Sequence, residues 1–198
     1  FDDEGVRARR VTVVKDGVLR AFLMSRAPID GFDRSNGHGR RQQGQRAVAR
    51  QSSLVVESAR RVPRAELKRM LAKRLKAAGK PYGLLFDDIE GGFTFTQRIL
   101  PNAFNVRPTV VYRVYPDGRE ELVRGVDLIG TPLIAFSKIA ATDDQPAVFN
   151  GLCGAESGWV PVSAASPGLL VSQIEVQRKE KSQERAPLLP PPPALEAR

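Results

Sequence analysis

Asn150-Gly151-Leu152-Cys153-Gly154-Ala155-Glu156-Ser157-Gly158-Trp159-Val160-Pro161-Val162 holds the only cysteine and the only tryptophan of a 198-residue chain. Gly151 and Gly154 bracket the cysteine. Glycine weakens the interior of a helix or strand by about 0.5–1 kcal/mol, and within strands it marks bulges or close approaches. The stretch is therefore predicted to be a loop rather than a helix interior or a regular strand. A thiol on such a loop can be reached by a metal, a substrate or another backbone. The competing reading is a small buried hydrophobe. Free cysteines are among the most buried side chains, and reactivity needs a lowered thiol pKa.

Downstream of this stretch, Leu169 to Val176 alternates and reads as a final strand. From residue 178 the composition turns charged, then passes through Ala186-Pro187-Leu188-Leu189 into the prolines of 190–193. Such a segment cannot build a core. Residues 1–177 are thus expected as one domain and 178–198 as an extended or disordered tail. Upstream, Leu133 to Ala141 is apolar and fits either a strand or a helix. Thr109 to Tyr115 and Glu120 to Val123 flank Pro116-Asp117-Gly118, a turn with hairpin character. Gly83-Leu84-Leu85-Phe86 and Phe93-Thr94-Phe95-Thr96 read as two short β runs.

Val62 to Ala78 is the one clear helix. Leu67, Met70, Leu71 and Leu75 recur on one face, and Lys68, Arg69, Lys73, Arg74 and Lys76 fill the other. Pro63 suits the first helical position, and Gly79 followed by Pro81 suits the stop. No side-chain cap is evident at the start. Nearer the N-terminus, Asp16-Gly17 lies between apolar-rich runs, Arg9–Lys15 and Val18–Met24, which is a hairpin signal. Residues 25–52 are poor in apolar side chains and read as a long loop, which in a compact domain is usually functional or mobile. It carries the only histidine, His38, between Gly37 and Gly39. His38 is either a ligand or base, or a solvated loop residue. Ser53 to Glu57 reads as a short strand.

The chain is long enough for one domain with its own core. No apolar run is long enough to span a membrane, and no secretory signal opens the chain. Residue 1 is Phe rather than Met, so a piece of a longer protein is expected. One cysteine rules out an intrachain disulfide framework. The net charge is +9, and residues 34–80 carry 14 Lys and Arg against the two acids Glu57 and Glu66. A basic block of this kind can bind nucleic acid. Residues 33–80 contain no aromatic platform for stacking bases, however, and a solvated basic face is the preferred reading. The acidic pairs Asp87-Asp88 and Asp143-Asp144 read as solvated loop acids. No phosphate-cradling loop, dinucleotide fingerprint or nucleophile elbow is present. A catalytic zinc site needs three protein ligands and an open position. One Cys and one His cannot build a site rich in such ligands without residues from elsewhere.

An ordered series of motifs resembles the C-terminal domain of the TldD/PmbA metallopeptidases, from about residue 2 to 177. Asp3-Glu4-Gly5 leads to a hairpin ending Phe22-Leu23-Met24-Ser25-Arg26, then to Ser35-Asn36-Gly37-His38-Gly39-Arg40. Ser52-Ser53-Leu54-Val55-Val56 precedes the Glu66-Leu67 helix, followed by Gly83-Leu84-Leu85 and Gly91-Gly92-Phe93. Gly151-Leu152-Cys153-Gly154, Val160-Pro161-Val162 and Ser166-Pro167 form the most specific part.

The resemblance implies the C-terminal half of a zinc peptidase acting on unstructured peptides. Two histidines and a general-base glutamate would come from a His-Glu-x-x-x-His helix upstream of this chain, and Cys153 would be the third zinc ligand. The chain by itself is then expected to be inactive. Peptide would bind by main-chain pairing. Family members work as homodimers or as heterodimers of an active and an inactive relative, and the resemblance favours a cytoplasmic location with export left open. Candidate substrate contacts are His38, Arg40, Gly151 and Gly154. Glu156-Ser157-Gly158-Trp159 departs from the Lys and Gly-Gln of close relatives. The expected fold is α+β: mostly antiparallel sheet, barrel-like or sandwich, with one main helix. The rival functions are a non-catalytic peptide-binding or dimerisation partner and, behind it, nucleic-acid binding.

Overall fold

In the computed structural model, residues 1–95 and 103–179 are described. Asp16 and Gly17 have φ of 53° and 76°. That pair of left-handed residues twists a two-residue turn in the sense the flanking strands require. Val14–Lys15 (β1) and Val18–Leu19 (β2) pair across it. All four residues are exposed, so no packed face extends the hairpin into longer strands.

Within the long loop, Gly39–Arg40 (β3) and Val48–Ala49 (β4) form a second small antiparallel pair. Ser53–Val55 (β5) and Arg61–Val62 (β6) follow.

The helix α1, Arg64–Ala77, lies where the apolar spacing predicts, but Pro63 is at the capping position rather than the first helical one, with no side-chain cap. Glu66 in the first turn and Arg74 and Lys76 in the last complement its dipole. Gly79 has φ of 60°. Its N–H donates to Lys76 O at 3.2 Å and the Lys80 N–H to Leu75 O at 3.0 Å, the paired bonds of a Schellman stop. Leu71 and Leu75 pack over Gly83, where a β-carbon would come within 3.0 Å of Leu71 Cδ1.

The two expected short runs near residues 83 and 93 are one strand, Gly83–Phe95 (β7). Register shifts between Phe86 and Gly91 absorb the Asp-Asp and Gly-Gly interruptions. Thr96 lies outside the described residues. Ala103–Val114 (β8) runs antiparallel to β7, and Glu120–Val123 (β9) pairs back onto β8. Val126–Gly130 (β10) follows. The ambiguous 133–141 stretch is both structures in turn: a short helix, Pro132–Ser137 (α2), then Ile139–Asp143 (β11). Ala147–Ala155 (β12) and Gly158–Ser166 (β13), nine residues each, make a hairpin.

The expected single final strand is two, Leu169–Val171 (β14) and Glu175–Arg178 (β15). They serve different sheets, β14 pairing β11 and β15 pairing β10. Only β14 has a covered residue, Leu170, while all four residues of β15 are exposed. Of the tail expected over 178–198, Arg178 belongs to β15, and residues 180–198 lie outside the described residues.

One sheet has the order β15-β10-β8-β7 with β9 on β8, and two three-stranded sheets run β14-β11-β6 and β12-β13-β5. Pairing is antiparallel except at β5–β13 and β6–β11. The architecture is α+β with one main helix, sandwich-like, and no sheet closes into a barrel among the described residues. Val111, Val114 and Leu128 are buried in the large sheet, with Leu75 of α1, Val160, Leu170 and Met24 elsewhere.

The solvated reading of the acidic pairs is corrected at Asp143, which is 2% exposed. Its Oδ1 accepts from the Gly168 amide at 2.8 Å and the Gln145 amide at 3.1 Å. Asp87 and Asp88 lie in β7 rather than a loop. Asp87 pairs with Arg64 at 3.1 Å, and Asp88 accepts from the Thr109 hydroxyl at 2.7 Å.

Candidate metal-ligand hairpin

Cys153 is in a regular strand, which overturns the loop expected from the glycines. It is partnered with Val160 in an unbroken register from Ala147↔Ser166 to Ala155↔Gly158. Aromatic rings occupy the space the glycines leave. The Phe149 ring lies where a β-carbon of Gly151 would be, within 2.9 Å, and the Trp159 indole sits 3.0 Å from that of Gly154. Gly158, with φ of 83°, closes the turn. Residues paired directly across an antiparallel ladder share a face. Cys153 therefore lies on the face of the buried Val160, yet remains half-exposed because β12 is the outer strand of its sheet. On the other face, Leu152 is 66% and Trp159 62% exposed.

The turn is clamped from residues 42–50. Arg50 is 7% exposed, and all three acceptors of its guanidinium lie on this hairpin. Its Nη2 donates to the carbonyl of Cys153 at 2.6 Å, and its Nη1 to Gly158 O at 2.6 Å and to Ser157 Oγ at 3.0 Å. Ser157 is fully buried. Gln42 adds a second hold: its backbone N–H donates to Ser157 O at 2.8 Å, and its Oε1 accepts from the Trp159 amide at 3.1 Å.

The clamp also reaches the histidine loop. The Arg50 N–H donates to His38 O at 2.9 Å, continuing the β3–β4 pairing. The His38 Nδ1 faces two acceptors, Asn36 Oδ1 at 2.9 Å and Asn36 O at 3.1 Å, so that nitrogen carries the proton and Nε2 keeps a lone pair. Burial pushes the imidazole below its ordinary pKa. The bond to the Asn36 carbonyl opposes this, the charge of Arg40 adds to it, and Asp2 opposes it. Arg40 turns back on its own loop, donating to Gly37 O at 3.3 Å and Gly39 O at 3.1 Å.

Asp2 anchors the start of the chain. It accepts from the amides of Gly39 at 2.9 Å, Val6 at 2.8 Å and Glu4 at 3.0 Å. Burial works against its charge, but these three amides, with Arg40 nearby, outweigh burial and hold the carboxyl below its ordinary range.

Of the sequence candidates, Cys153, Gly151 and Gly154 share one strand, and His38 joins them through Arg50. Arg40 is occupied with its own loop. Sequence reasoning missed Arg50, Gln42 and Asp2. A buried arginine looks like any member of a basic block, and the one local sign is the apolar Ala47-Val48-Ala49 before it. In the same block, Lys68 pairs with Glu120 at 2.8 Å and Arg69 with Glu66 at 2.8 Å.

The PmbA/TldA metallopeptidase C-terminal domain matches residues 1–178. A protein of Archaeoglobus fulgidus named as a metalloprotease is 28% identical over 171 residues, which is 86% of this chain and 37% of that relative. This chain thus spans little more than a third of the relative's length. The chain belongs to the PmbA/TldD metallopeptidase family, as its C-terminal domain.

A metallopeptidase needs a metal. Among the described residues, no three of His, Cys, Asp and Glu gather closely enough to hold an ion. The donor present is one reachable thiol on an outer strand, flanked by glycines and anchored through its own carbonyl. That fits a single ligand contributed to a shared site. No helix among the described residues is long and apolar enough to cross a membrane.

Proposed function

We propose that this domain supplies the Cys153 thiolate to the zinc site of a peptidase that hydrolyses unstructured peptides. An upstream His-Glu-x-x-x-His helix would complete the site. The observation that carries the reading is Cys153 itself: a half-exposed thiol on an outer strand, with its carbonyl fixed by Arg50. Zinc suits a ligand set of two imidazoles and one thiolate with an open fourth position. When bound, it polarises a peptide carbonyl and lowers the pKa of its water.

This chain's residues hold the thiolate in place and offer main chain to the substrate. The outer edge of β12 pairs an extended peptide through backbone groups, which reads little side-chain sequence. Gly151 and Gly154 lie along that edge. His38 accepts the Arg50 amide through its carbonyl and Arg40 donates to the carbonyls of Gly37 and Gly39, so both order the segment that carries the clamp. A dimer, of one kind of chain or of two, would cover the apolar outer face at Leu152 and Trp159, both largely exposed here. A non-catalytic partner that only binds peptide is the second reading, favoured by the same face.

The test is zinc content and hydrolysis of an unstructured peptide by the full-length protein, wild type and Cys153→Ala. Roughly one zinc per chain, lost together with hydrolysis in the variant, is expected. Full zinc and activity in the variant would sink the assignment. No zinc in the wild type would favour the binding partner.

A further inference from the structure

We infer that Arg50 is the positioning residue of the metal site, fixing the Cys153 main chain so that its thiolate is presented at one place. The inference rests on the reading of Cys153 as a metal ligand. Three observations carry it.

Arg50 is almost fully buried, and no carboxylate pairs with it among the described residues. A buried guanidinium is costly unless its donors are satisfied. Here the acceptors are two carbonyls and one hydroxyl, and all belong to the β12–β13 hairpin. A cation placed for stability alone would be expected to meet a carboxylate. This one meets the peptide oxygen of the candidate ligand.

The two arms of the guanidinium are divided between the strands. Nη2 holds Cys153 in β12, while Nη1 holds Gly158 at the start of β13 and Ser157 between them. A planar fork fixes direction as well as distance. It therefore sets the strand's position along the sheet, not only its attachment.

The Arg50 backbone is itself immobilised, its N–H donating to His38 O at 2.9 Å beside the β3–β4 pair. Asp2 fastens β3 in turn through the Gly39 amide. The thiol is thus referred to the N-terminal part of the chain, a path that lysine could follow only in part.

The experiment measures zinc affinity of the full-length protein by competition with a chromophoric chelator, alongside thermal unfolding. The variants are Arg50→Ala, Arg50→Lys, Cys153→Ala and, as a control, Asp143→Ala, a buried substitution at the open end of the hairpin, the end opposite Cys153 and the turn. Loss of a group that orients a metal ligand typically weakens binding roughly 10–100-fold, and that loss is expected for Arg50→Ala. Arg50→Lys should recover part of it, and Asp143→Ala should lower the melting temperature with affinity unchanged. Wild-type affinity in Arg50→Ala overturns the role, as does equal weakening in Asp143→Ala. Should Arg50→Ala fail to fold, Arg50→Lys decides alone: weaker zinc binding supports the role and wild-type binding removes it. Zinc retained by Cys153→Ala sinks both this inference and the reading beneath it. Zinc lost by Cys153→Ala but kept by the Arg50 variants sinks the positioning role alone.

Discussion

The carboxylate of Asp2 accepts the Gly39 amide at 2.9 Å across 37 residues, fastening the start of the chain to β3. Asp2→Asn replaces one of the two accepting oxygens with an NH2 group that cannot accept an N–H, so the amides of Gly39, Val6 and Glu4 are no longer all satisfied. A loss of about 2 kcal/mol is expected at neutral pH. The native pKa lies below the unfolded value of 3.8, so the contribution is complete above that value and lost as pH falls through the native pKa. Urea melts should show a gap between wild type and variant at neutral pH that closes in acid. A gap that persists in acid would refute the account.

His38 moves the other way in charge but the same way in pH. Its native pKa is lowered from 6.5, so the folded state binds fewer protons than the unfolded state just below that value. Stability should therefore rise with pH across that window and be complete above 6.5. NMR titration should place its midpoint below 6.5, and His38→Gln should flatten the pH slope there.

Asp143 is the acid whose partners are both backbone amides, those of Gly168 and Gln145. Asp143→Ala strands two donors in a buried place, at a cost of about 2–4 kcal/mol. Chemical denaturation measures it, and a change within error would show the carboxylate to be dispensable.

Gly79 and Gly158 both have left-handed φ, 60° and 83°, but only at Gly158 would a β-carbon run into a neighbour, the side chain of Gln42. Gly79→Ala is expected to destabilise by about 1 kcal/mol, the cost of the backbone conformation. Gly158→Ala should cost more, since Gln42 must also give way. Equal losses in denaturation would show that Gln42 yields freely.

Local signals were legible. The Asp16-Gly17 turn, the α1 stripe and its Gly79 stop, and the Pro116-Asp117-Gly118 turn are encoded within a few residues, and the structure places each there. Signals that depend on distant partners were not. The glycines around Cys153 argue against a strand until Phe149 and Trp159 fill the space beside them. Asp143 looks solvated until Gly168, 25 residues on, turns its amide toward it. Arg50 is one basic residue among many until its acceptors, more than a hundred residues later, are in place. The ordered motifs single out the thiol as a candidate ligand, but nothing in the sequence shows what holds its strand.

The bond between Arg50 and the Cys153 carbonyl joins residues 103 apart. The parallel pairing of Ser53 with Ser163 spans a similar length. During synthesis, the clamp emerges from the ribosome long before the strand it grips. Closing such distant contacts is slow compared with forming local hairpins and helices. If Cys153 carries zinc, loading follows the closing of that clamp. Until then the thiol is bare, and this is the interval in which oxidants in the cell would compete with the metal for it.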